Sequence, residues 1–181
     1  MRSFSFPFLA VVAIIGCTVG CTTEPTSSDD RASLQDDVTS TLKRLNVEDP
    51  GLQAFLNQSY GYAIFPTVGK GGFIAAGAYG HGQVYEKGQF VGYADISQAT
   101  VGLQAGGQSF SEVIAFEYKD ALTNFESGRF AFAANASAVA LKSGAASSAK
   151  YDDGIAVFVD PIGGLMVEAS VGGQSFSYQP K

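Results

Sequence analysis

The sequence has no tryptophan, one histidine (His81) and two cysteines, Cys17 and Cys21, both within the first 21 residues. A structural zinc site draws three or four ligands from cysteine and histidine, so none can be built beyond the leader. Nucleophilic catalysis has one histidine available as its base, and no serine sits in a GxSxG elbow. Basic residues are scarce, 11 against 17 acidic ones for a net charge of -6. A chain of this sign lacks the clustered Lys and Arg that neutralise a phosphate backbone, so nucleic acid is not an expected partner. Val68-Gly69-Lys70-Gly71-Gly72 places a lysine among glycines, but Gly71 stands where a P-loop needs Ser or Thr, so nucleotide is not expected either. Tyr151-Asp152-Asp153-Gly154 lacks the spacing of an EF-hand and reads as a turn before a strand. No cofactor is expected.

What is present begins with an address. Met1 to Cys21 carries one basic residue, Arg2, an apolar stretch from Phe4 to Ile15, and small residues before cysteine. This is the grammar of an export signal. The apolar stretch falls short of the ~20 residues of a spanning helix. Ile14-Ile15-Gly16-Cys17 resembles a bacterial lipobox, and Thr18-Val19-Gly20-Cys21 is a less apolar competitor. One of Cys17 and Cys21 is therefore the expected lipid-attachment site, Cys17 favoured, against the alternatives of a disulfide or of a discarded leader. A threonine follows each cysteine, which is compatible with an outer-membrane destination. Several acyl chains hold a protein far better than one, each buried methylene contributing ~0.8 kcal/mol.

Thr22 to Asp30, TTEPTSSDD, is polar and reads as a flexible tether, with a single domain over residues 31–181. Leu34, Val38, Leu42 and Leu45 recur at helical spacing and predict an amphipathic helix over 31–45. Asp49-Pro50 reads as an N-cap followed by proline, opening a second short helix through Leu52, Phe55 and Leu56. From Tyr60 onward, short apolar or alternating runs punctuated by glycine read as strands. Glu86-Lys87-Gly88 predicts a tight hairpin. Tyr79-Gly80-His81-Gly82 reads as a turn with a solvated histidine. A short helix is expected over 120–128, a strand over 131–141, a loop to Lys150, and final strands at GIAVFV, GGLMVEASV and QSFSYQ. The fold class is α+β, a mostly antiparallel, curved or barrel-like sheet with N-terminal helices and one short internal helix.

The hexapeptide GGQSFS occurs twice, at 106–111 and 172–177. Neither copy carries a basic residue or leads into a clear helix, as a phosphate loop would require. Strand periodicity puts Gln and Phe on one face and the serines on the other, so Phe110 and Phe176 are expected inward and the paired glycines permit a bend.

The blocks GYAIFPTVGKGGF (61–73), GAYGHGQVYE (77–86), ATVGLQAGGQSFSEVIAF (99–116), FESGRFAFAANASAVA (125–140) and GGLMVEASVGGQSFSY (163–178) together resemble the SYLF domain family. The resemblance covers nearly all of 34–178. It implies a non-enzymatic domain that binds phospholipid membranes, with anionic-lipid recognition through an N-terminal helix in eukaryotic relatives. On that footing the lipid-binding residues are Leu34, Val38 and Leu42, inserting, with Lys43, Arg44 and Lys70 meeting phosphates. The alternative for the apolar stripe is packing on the sheet. The first helices depart from the family in being net acidic, which opposes anionic headgroups. A second reading is an envelope scaffold that binds another protein and uses lipid only as an anchor.

Overall fold

The computed structural model describes residues 27–71, 75–101, 108–128, 138–162 and 173–181. Cys17, Cys21, most of the tether, the glycines Gly106, Gly107 and Gly172, the strand expected at GGLMVEASV and most of that expected over 131–141 lie outside these residues. Helix α1 spans Ser28–Glu48 and α2 Gly51–Gln58. Strands β1 (Gly61–Gly71), β2 (Ala75–Glu86), β3 (Gln89–Val101) and β4 (Gln108–Phe116) follow. Then come α3 (Lys119–Glu126), β5 (Val139–Ala140), α4 (Ala145–Ser148), β6 (Ile155–Ile162) and β7 (Gln174–Pro180).

Helix α1 starts three residues before its predicted beginning, so the expected tether loses Ser28 to Asp30. The cause is local: the Ser27 side chain accepts from the Asp30 N–H at 3.1 Å, and Asp29 and Asp30 lie in the positively polarised first turn. Asp49 performs the capping predicted for it. One carboxylate oxygen accepts from Gly51 N–H at 2.9 Å, and the other accepts from Ala146 N–H at 2.6 Å. The fully buried Asp49 thus ties the start of α2 to α4. That one-turn helix α4 corrects the expected loop and adds a second short internal helix. Ala146 buries its methyl there among the outer-face core residues, which composition alone does not show.

The seven strands form one sheet in the order β5-β6-β4-β1-β2-β3-β7, open rather than closed, antiparallel except for β5 with β6. Lys87 and Gly88, with φ of 49° and 77°, make the expected two-residue hairpin between Glu86 and Gln89. The outer face carries Ile64, Val113, Ala115 and Phe158, covered by Val38 and Leu45 of α1 and by Leu52 and Leu56 of α2. The inner face carries Phe65, Val84, Ile96, Phe110, Ile114 and Phe116, with Ala121, Leu122 and Phe125 of α3 packed into it. Strand β6, buried on both faces, is accordingly a near-continuous apolar run.

The sheet curls strongly. Phe176 of edge strand β7 lies 5.9 Å from Phe65 of β1 and 5.1 Å from Phe125 of α3, centroid to centroid, although β2 and β3 separate β1 from β7 in the sheet. Both hexapeptide copies start a strand, and Phe110 and Phe176 both face inward as the alternation requires. The turn expected at Tyr79 to Gly82 is instead the middle of β2. Gly80 and Gly82 point inward, where a Cβ would stand 2.6 Å from Thr67 O and 2.5 Å from Ile64 O; at Gly82 it would also meet the Phe65 ring at 2.6 Å. These glycines admit a neighbouring strand, a use of glycine that local sequence does not separate from a turn.

Gly82→Ala is expected to cost about 1–3 kcal/mol through overpacking. Gly69→Ala, on the same sheet but with nothing within 4 Å of its Cβ position, should stay within about 0.5 kcal/mol. Urea midpoints of the two variants read this directly, and equal midpoints would refute the close approach.

Candidate functional site

Helix α1 is where the site residues expected from the sequence converge. Val38 is fully buried and Leu34 and Leu42 are half-buried against the outer face of the sheet. The stripe therefore packs on the sheet, the alternative weighed from sequence, and inserting it into a bilayer would require α1 to lift away. Arg44 is also engaged. Its guanidinium pairs with the Asp160 carboxylate and donates to Ser111 Oγ at 2.7 Å, while Ser111 donates to Pro66 O at 2.6 Å. This network pins the C-terminal half of α1 across β6, β4 and β1. Lys43 is exposed, and Val47, one turn on, is 83% exposed. Lys70 belongs to β1, opposite Ala78 and Gln108, and its side chain lies outside what is described.

The N-terminal half of α1 is held differently. The Arg31 guanidinium lies 5.8 Å from the centroid of the Tyr93 ring. Between this half and the sheet runs a groove of about 350 Å³, lined by Asp30, Ser33, Leu34 and Asp37 from the helix and by Pro66, Thr67 and His81 from β1 and β2. His81, 47% exposed, has Nδ1 2.6 Å from Oδ1 of Asp95, whose side chain is 8% exposed. Burial raises the Asp95 carboxyl, and the His81 and Tyr79 hydrogen bonds work against that rise. The histidine expected in solvent on a turn is thus held on the strand by a buried carboxylate. Among the described residues no three His, Cys, Asp or Glu side chains converge to hold a metal ion, and no helix is long and apolar enough to cross a membrane.

Inside the curled sheet lies a polar pair that the sequence reading missed. Gln174 of β7 donates through Nε2 to Glu112 Oε2 of β4 at 2.9 Å, and both side chains are fully buried. Burial pushes the Glu112 carboxyl up to about 8, the Gln174 hydrogen bond offsetting a little. The signal was there to read: in QSFSEVIAF, Glu112 occupies the inward position between Phe110 and Ile114. Glu112 Oε1 and Gln174 Oε1 accept no hydrogen bond from the protein, and a protonated carboxyl supplies a donor that a carboxylate lacks. A second groove of about 460 Å³, lined by Gln53, Leu56, Asn57, Ser59, Tyr62, Lys87 and Gly88, opens between α2 and the β2–β3 turn.

The Glu112 carboxyl carries a pH prediction. Its folded value of about 8 lies above the ordinary 4.5, so across that interval the folded state holds a proton that the unfolded state has released. Stability contributed by this group is full below 4.5 and falls as the pH rises to 8, by at most about 1.4 kcal/mol per pH unit, the limit for one proton. Urea unfolding at pH 5 and pH 7.5 should show this loss, and Glu112→Gln should remove it. An unchanged pH dependence in the variant would overturn the assignment.

No known protein-family profile matches the chain. The chain is similar to Beta cell expansion factor A of Aeromonas veronii, with 26% identity over 152 residues. The match covers 83% of this chain and 58% of that protein, so the chain spans little more than half of its relative's length. The likeness is that of a distant relative and extends across most of the domain rather than one motif.

Proposed function

We propose that the protein is an exported, lipid-anchored outer-membrane protein whose SYLF-like domain engages phospholipid and catalyses no reaction. One observation carries this reading. The sequence blocks that resemble SYLF domains run, where described, through β1, most of β2, the end of β3, β4, the last two residues of α3, β5 and most of β7, and include Gly80 and Gly82 at the close approach of β1 and β2. They include the glycines that let this particular sheet curl. The leader ending at Cys17 or Cys21 supplies the membrane address. In the folded state the contact offered to a bilayer is Lys43 with Val47, a cation and an apolar side chain one turn apart, rather than the Leu34, Val38 and Leu42 stripe. A single basic residue near an anionic surface contributes only ~1 kcal/mol, so the lipid anchor does most of the holding.

The scaffold reading has its own observation. Helix α1 carries Asp29, Asp30, Asp36, Asp37 and Glu48 against Arg31, Lys43 and Arg44, two of these cations being engaged with Tyr93 and Asp160 of the sheet, a balance better suited to a basic protein surface than to anionic headgroups.

Sedimentation of residues 22–181 with neutral and with anionic vesicles separates the two readings. Phospholipid engagement predicts co-sedimentation, weakened by Lys43→Glu with Val47→Asp, both on the exposed side of α1. No sedimentation with either vesicle leaves the scaffold. Labelled palmitate should enter the Cys21→Ser chain and be lost from Cys17→Ser, and incorporation in both would contradict a single anchor at Cys17.

A further inference from the structure

We propose that the groove between the N-terminal half of α1 and the sheet binds a primary ammonium group, that of an aminophospholipid headgroup at the membrane surface. This rests on the reading that the domain engages phospholipid, and it assigns a headgroup class to it.

The chemistry of the lining selects the ligand. His81 Nδ1 lies 2.6 Å from Asp95 Oδ1, which fixes the plane of the ring; an imidazole that donates there through Nδ1–H and carries no second proton leaves Nε2 as an acceptor. Asp37, from the opposite wall, is an acceptor when ionised and adds negative charge. A group that satisfies both walls must carry positive charge and several N–H donors, as a primary ammonium does. A quaternary ammonium has the charge and no donor. A bare metal ion is a poorer fit, because it wants three or more such ligands and, among the described residues, no three His, Cys, Asp or Glu side chains come together. Leu34 and Pro66 supply apolar surface for the methylenes that follow the nitrogen, and about 350 Å³ is enough for a headgroup.

Position supplies the rest. The groove includes Asp30 and Ser33, in the first turns of α1, and the helix begins at Ser28. From Cys17 to Ser27 the chain can extend at most about 35 Å, at ~3.5 Å per residue, so an anchored Cys17 keeps the groove within reach of headgroups. An acidic helix face then suits a membrane protein: it opposes phosphate and attracts the amine.

Because His81 is the only histidine in the chain, its imidazole gives a single unambiguous NMR signal for the site. The full chain in detergent should show a saturable shift of that signal on adding ethanolamine and none on adding choline. Asp37→Asn, an exposed helix position, should weaken the ethanolamine response up to about fivefold, as expected for one exposed ion pair. In bicelles, phosphatidylethanolamine should move the signal and phosphatidylcholine should leave it unmoved. No saturable shift with ethanolamine, an equal response to choline, or an Asp37→Asn chain that binds as the parent does overturns the proposal. A response to free ethanolamine without one to phosphatidylethanolamine overturns the lipid source and leaves a small-amine site. Failure of vesicles to sediment residues 22–181 removes the phospholipid reading independently of the ethanolamine result.

Discussion

The close approach of β1 to the glycines of β2 is the constraint on which the rest of the structure depends. With no Cβ at Gly80 or Gly82, the Thr67 and Ile64 carbonyls and the Phe65 ring occupy the inner side of β2. The sheet can then coil tightly enough for β7 to face β1 and β4 across the interior. That coil makes the space in which Phe65, Phe125 and Phe176 meet and in which α3 docks. It also brings Glu112 to Gln174, an interaction between strands that a flat sheet would hold far apart.

The two faces are finished by different means. Among the described residues, the inner face closes on aromatic packing and the buried Glu112–Gln174 pair. The outer face is covered by helices that depend on charged anchors at their ends: Asp49 between α2 and α4, Arg44 between α1 and the sheet, Arg31 over Tyr93. Of these only Asp49 is fully buried, and removing it would leave the Gly51 and Ala146 N–H groups without their acceptor, so it fixes the placement of α2 and α4 more sharply than apolar contact alone. The C-terminal half of α1 is set on the sheet through Arg44, and the N-terminal half, with Arg31 over Tyr93 and Gln35 hydrogen-bonded to Tyr85, stands beside a groove.

Much of this was legible in the sequence because the relevant signals are local. The helical spacing of Leu34, Val38, Leu42 and Leu45, the Asp49-Pro50 cap, the Lys87-Gly88 hairpin and the alternation that sends Phe110 and Phe176 inward all depend on near neighbours in the chain. The α+β class and curved antiparallel sheet followed from them. What escaped depends on partners far away. Gly80 and Gly82 look like turn residues until Phe65 is placed beside them, and His81, exposed as expected, looks unpartnered until Asp95 arrives from the next strand. Arg44 resembles a surface cation until Asp160, 116 residues on, is folded against it. The Ala-rich stretch at 145–148 became a helix because Asp49 holds its backbone and the outer-face core takes Ala146. Of the candidate site, the apolar stripe and Lys43 were visible as residue types. Their division into one side packed and one side exposed became definite only with the sheet beneath.

Asp49 also dictates an order of assembly. A ribosome delivers α1 and α2 well before Ala146, and the carboxylate that caps α2 finds its second donor 97 positions further along the chain. Until then its other oxygen faces water, and the helical pair has no sheet to cover. The finished capping contact therefore closes late, across a loop whose entropy must be overcome by the strands between. The contact between Asp49 and α4 thus waits on the last third of the chain, and the outer face is complete only when α4 and β6 are in place beside the helices.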